Sequence, residues 1–90
     1  MRTHDLGEET INNLLKRLRR IEGQVRGLQK MIVEGRACDE VLTQMTATKR
    51  AMESAAALFL KEYVAACATE VAGGEDDALE KISEALRRFA

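Results

Sequence analysis

The 35 residues from Arg36 to Glu70 contain neither Gly nor Pro, and one cysteine stands near each end, Cys38 and Cys67. A stretch of this length without a breaker has one regular solution, a long α-helix. At about 1.5 Å of rise per residue, the two thiols lie roughly 40 Å apart on that helix. A disulfide needs Cα atoms within about 7 Å, and shared ligation needs similar closeness. One straight helix therefore cannot bring the thiols together. Two copies packed antiparallel can, because Cys38 of one then lies beside Cys67 of the other, and a two-fold axis repeats the pair. The stretch predicts a two-thiol site that exists only between subunits.

The rest of the chain reads as further helix. Residues 1–7 look like a flexible arm and hold the only histidine, His4. Helix 1 is expected over about 8–34, with Glu8 and Glu9 at the positive end of its dipole. Leu14, Leu18, Ile21, Val25, Leu28 and Ile32 recur at intervals of 4, 3, 4, 3 and 4, a heptad seam. Gly23 and Gly27 interrupt good helix formers at up to about 1 kcal/mol each. Their spacing predicts close approach of another backbone. Gly35 is expected to close the helix in a left-handed conformation.

Helix 2 is expected over about 37–71, with a seam of Val41, Met45, Thr48, Met52, Ala55 and Phe59. Tyr63 falls one turn before Cys67, on the same face. Gly73-Gly74 reads as a stop. Helix 3 is expected over about 76–89, capped by Asp76 after an acidic turn of Glu75, Asp76 and Asp77. Its apolar stripe is Ala78, Leu79, Ile82, Ala85, Leu86 and Phe89. The fold class is all-α: a long antiparallel helical hairpin plus a short third helix, in one domain over 1–90. A single hairpin of this size buries too little surface, so two copies are expected to pair into a four-helix bundle.

Ninety residues with a net charge of −1 conceal an uneven distribution. Between 16 and 36 lie Lys16, Arg17, Arg19, Arg20, Arg26, Lys30 and Arg36 against Glu22 and Glu34, a local balance of +5. Such a stretch is an electrostatic footprint for a polyanion, or else a solvated face. No apolar run is long enough to span a membrane. MRTHDLGEE lacks the apolar core of a signal peptide, so a reducing, cytoplasmic setting is expected and the cysteines read as reactive or metal-binding.

The segment RLRRIEGQVRGLQKMIVEGRACDEVLTQMTATKRA resembles the CsoR-type bacterial repressors. Its most specific parts are R-x-x-R-I-x-G-Q at Arg17–Gln24 and Gly-x-x-Cys at Gly35–Cys38. The resemblance extends over about residues 10–89. It implies an all-helical dimer of dimers, a homotetramer, that binds double-stranded operator DNA and releases it on meeting an inducer. By the same resemblance Arg17 contacts DNA, Lys49 falls at a basic position of helix 2, and Lys16, Arg20 and Arg50 are plausible neighbours. With so few aromatics, single-strand stacking is disfavoured, and readout is expected through phosphates and duplex shape.

The inducer site that the resemblance implies uses cysteines matching Cys38 and Cys67, with a histidine where this chain has Tyr63. That departure points to the persulfide-sensing members, which keep both cysteines and lack the histidine. The expected inducer is then a persulfide or polysulfide, with no resident cofactor. Cys38 is the better nucleophile, since a helix N-terminus and Arg36 favour the thiolate, while Asp39 and Glu40 oppose it. Cys67 of the other subunit would resolve the product. The alternative is a copper(I)-responsive repressor of the same family, since two thiolates suit a soft ion, with His4 as a weaker candidate ligand. A third reading, from another class, is a structural helical bundle with inert cysteines. An enzyme is not expected, because the single histidine leaves no Cys-His or Ser-His pair.

Overall fold

The computed structural model describes residues 1–72 and 78–89, which form three α-helices with no strand among the described residues. Helix α1 spans Glu8–Val33, α2 spans Cys38–Ala72 and α3 spans Ala78–Phe89. A 3₁₀ turn at Thr3–Leu6 precedes them, tied by the Arg2 amide donating to Asp5 Oδ2 at 2.8 Å. Gly7, at φ 91°, redirects the chain from that turn into α1.

The corner between α1 and α2 is a Schellman closure. Gly35 takes φ 69°, its amide donates to the Ile32 carbonyl at 3.2 Å, and the Arg36 amide donates to the Met31 carbonyl at 3.0 Å. The last carbonyls of α1 are thereby satisfied, and a residue with a Cβ would be strained at Gly35. The Val41 amide donating to the Ala37 carbonyl at 3.1 Å opens α2, which makes Cys38 its first residue.

The two long helices lie side by side in a molecule of 56 × 26 × 14 Å. One helix with its side chains is about 10–12 Å across, so the hairpin is a single layer thick. That thickness decides where the apolar residues go. On α1, Leu14, Ile21 and Leu28 are buried, and Arg17 and Gln24 between them and Met31 after them are half-buried. On α2, Ala55 is buried, and Val41, Gln44, Thr48, Ala51 and Leu58 are half-buried at the same 3–4 spacing. These two rows are the hairpin's internal seam.

The expected seams were broader, and half of each stays outside. Leu18, Val25 and Ile32 on α1 remain 41%, 40% and 59% exposed, and Met45, Met52 and Phe59 on α2 remain 43%, 49% and 38% exposed. A 3.5-residue period merges two neighbouring rows, and only one row of each helix meets the other helix in this chain. The close approach expected at Gly23 and Gly27 is also not met within the chain. A Cβ at Gly27 would have nothing within 4 Å, and one at Gly23 would meet only Arg26 Nη2 at 3.8 Å.

In α3, Ala85 is half-buried and Arg87 and Arg88 are exposed in the last turn. The expected Gly73-Gly74 stop and the Glu75–Asp77 turn with its Asp76 cap lie outside the described residues. So do the side chains of Ala78, Leu79, Ile82, Leu86 and Phe89.

Candidate functional site

Cys38 is exposed at the N-terminus of α2, and Cys67 is fully buried on the same unbroken helix. They are 29 residues apart, so roughly 40 Å separates them and no thiol pair forms within one chain. Among the described residues, no group of three His, Cys, Asp or Glu side chains gathers to hold a metal ion.

The surroundings of Cys38 differ from the sequence expectation in one respect. Arg36 directs Nε and Nη2 to Glu40 Oε2 at 2.9 and 2.8 Å. Its charge is matched one turn into the helix and is not held for the thiol. Cys38 itself stands exposed in the first turn of α2.

Tyr63 is half-buried one turn before Cys67, and its ring lies 6.3 Å from that of Phe59. The N-terminal 3₁₀ turn rests here: Met1, Arg2, Thr3 and Leu6 line a small cleft together with Phe59 and Tyr63. His4, within that turn, is exposed. Thr3 and Leu6 also border an open apolar groove of about 630 Å³, whose walls include Leu14, Leu18, Phe59 and Leu60.

The expected DNA contacts separate into two groups. Arg17 is half-buried in the internal seam, where Nη1 donates to Ser54 Oγ of α2 at 3.0 Å and Nε is buried without an acceptor. The bond sets Arg17 of α1 across from Ser54 of α2, and because the two helices run antiparallel, Arg20, further along α1, lies toward the Arg50 side of Ser54. Arg50 and Ser54 share a face of α2 at i, i+4. Lys16 and Arg20 are likewise four apart on α1 and exposed. No carboxylate among the described residues pairs with Lys16, Arg20 or Arg50. Toward the corner, by contrast, Arg26 pairs with Glu22 at 3.2 Å and Lys30 with Glu34 at 4.0 Å. The uncompensated charge is thus concentrated at mid-hairpin.

Lys49 does not join that group. It follows Met45 by four residues and precedes Met52 by three, which puts it on the apolar row's side, and its Nζ lies 3.8 Å from Glu53 Oε1. The sequence missed Ser54 altogether, because an exposed serine in a helix carries no signal until the register is known.

The metal-sensitive transcriptional repressor profile matches residues 10–88. The chain is 47% identical over 80 residues to the copper-sensing transcriptional repressor RicR of Mycobacterium tuberculosis, covering 88% of this chain and 83% of that protein. It is 31% identical over 80 residues to the copper-sensing transcriptional repressor CsoR of Bacillus subtilis, covering 87% and 79%. Among solved structures, the nickel-responsive transcriptional regulator InrS superposes with a TM-score of 0.82 at 36% identity, covering 99% of this chain and all of that one. The copper-sensing repressor CsoR with Cu(I) from Geobacillus thermodenitrificans NG80-2 superposes with a TM-score of 0.86 at 33% identity, covering 92% and 88%. None of these relatives is described as a sensor of reactive sulfur.

Proposed function

Because the chain belongs to the metal-sensitive transcriptional repressors, we propose that it represses transcription by binding operator DNA and is released by copper(I). The observation that carries the choice of inducer is the kinship with repressors described as copper-sensing, at 47% and 31% identity. The persulfide reading, which rests on Tyr63 replacing a histidine, has no such support and is the competing outcome of the test.

The donor set fits a soft monovalent ion. Two thiolates satisfy copper(I) in a near-linear arrangement, and a tyrosine phenol adds little to such a site. The exposed rows Leu18, Val25, Ile32 and Met45, Met52, Phe59 supply an apolar face on which a second hairpin packs antiparallel. That packing sets Cys38 against Cys67 of the partner subunit. An imidazole, where one joins, comes from His4, whose turn rests against Tyr63 one helical turn from Cys67. Lys16, Arg17, Arg20 and Arg50 form the phosphate-binding surface for the duplex.

The test titrates protein bound to a duplex selected on it from a random-sequence library, with copper(I) or polysulfide, followed by intact-mass measurement. Copper(I) at one equivalent per subunit releases the DNA and leaves the protein mass unchanged after chelation. Release by polysulfide alone, with masses of added sulfur bridging two chains, would establish the persulfide reading instead.

A further inference from the structure

Arg17 occupies an unusual place for a residue meant to meet DNA. It sits in the internal seam, between Leu14 and Ile21 on the same face of α1, and is half-buried. Its Nε is buried without an acceptor among the described residues. One contact fixes the guanidinium: Nη1 donates to Ser54 Oγ across the hairpin at 3.0 Å. Ser54 is itself exposed, so the bond lies at the lip of the seam with solvent on one side. A guanidinium has five N–H donors in a fixed plane. With Nη1 turned toward α2, Nη2 has no acceptor among the described residues and faces no carboxylate.

Ser54 stands one turn beyond Arg50 on the same face of α2, and Arg20, further along α1 than Arg17, lies toward Arg50 in the antiparallel hairpin. The serine therefore draws the α1 arginine over the groove between the helices, next to the unpaired charges of Arg20 and Arg50. An untethered arginine on α1 would lose this placement to the many rotamers of its long side chain.

We propose that Ser54 is a positioning residue, holding the Arg17 guanidinium across the hairpin so that α1 and α2 present one anion-binding surface to duplex DNA. The proposal rests on the reading of the mid-hairpin charges as the DNA surface. It also ties that surface to helix register: a slide of α2 along α1 breaks the Arg17–Ser54 bond and splits the surface in two.

The experiment measures binding of the full-length protein to the library-selected duplex across a salt series, for Ser54→Ala, Ser54→Thr, Arg17→Ala and the double variant Arg17→Ala/Ser54→Ala. Oligomer mass and helix content are recorded alongside. Ser54→Ala is expected to weaken binding roughly three- to tenfold, the worth of one hydrogen bond, with mass and helicity unchanged. Ser54→Thr, which keeps the hydroxyl, restores binding. Arg17→Ala weakens binding and lowers the magnitude of the salt slope by about 1. In the Arg17→Ala background, removing the Ser54 hydroxyl costs nothing more. If Arg17→Ala weakens binding while Ser54→Ala binds as wild type, the positioning role is wrong and the DNA surface stands. An equal loss from Ser54→Ala in both backgrounds reveals general damage to the hairpin and overturns the proposal. Wild-type binding by Arg17→Ala overturns the reading of Arg17 as a DNA contact and the proposal with it.

Discussion

Cys38 and Cys67 share a helix but not an environment. Cys38 is open to solvent at the first turn of α2, whereas Cys67 has no exposed surface. In the proposed site, an inducer arriving from solution meets Cys38 first, and capture by Cys67 requires the buried thiol to be uncovered. The two thiols should therefore differ in reactivity. With a thiol-alkylating reagent in excess, mass spectrometry of peptides should find Cys38 modified fast and Cys67 at least tenfold more slowly, the gap closing in denaturant. Equal rates in the native protein would mean that Cys67 is not protected. The Arg36–Glu40 pair gives this site little stability, because both side chains are about half exposed and such pairs contribute roughly 0.3–0.5 kcal/mol. Its effect is electrostatic and local.

At the scale of the helices, the sequence made element type and order legible, and it hid which side of each helix meets what. The breaker-free run of α2 and the Gly35 corner follow from local chemistry, since Gly, Pro and dipole signals act within a turn. The heptads could not say that Leu14, Ile21 and Leu28 turn inward while Leu18, Val25 and Ile32 face out. Contacts within a chain and contacts between chains draw on the same apolar residues. Arg17 was expected at the DNA surface, yet it is half-buried in the seam with Gln24, because a polar residue at a seam position leaves no apolar mark. Burial of Cys67 was illegible for the same reason that tertiary contacts usually are. The glycines of α1 offer a sharper test. Lys16, Arg20, Gly23, Gly27 and Lys30 recur at 4, 3, 4 and 3, along the flank away from the exposed apolar row. With open space around Gly27, Gly27→Ala should stabilise the protein by roughly 0.5–1 kcal/mol in thermal or denaturant unfolding, because only helix propensity changes. Destabilisation would show that another subunit's backbone presses against this face in the assembly.

The molecule as a whole is one helix layer thick, with an apolar row along one side and unpaired basic residues along the other. A 14 Å slab cannot cover both of its faces. In the proposed function its apolar side takes a second copy and its basic side a duplex. In the proposed dimer, the antiparallel pairing that covers the apolar side is also the arrangement that joins the two thiols across subunits. On the proposed function, assembly and sensing depend on one interface. The most direct test uses two half-sites. Cys38→Ser and Cys67→Ser variants carrying different affinity tags are co-expressed and purified over both columns, and native mass spectrometry at dimer-only concentration selects preparations in which each dimer contains both chains. Copper(I) binding is then titrated against a competing chelator. Each variant alone should lose the tight site, while the mixed dimer should regain one tight copper(I) per dimer, because it has one intact Cys38 facing one intact Cys67. A mixed dimer that binds no more tightly than either variant alone would contradict a site shared between subunits.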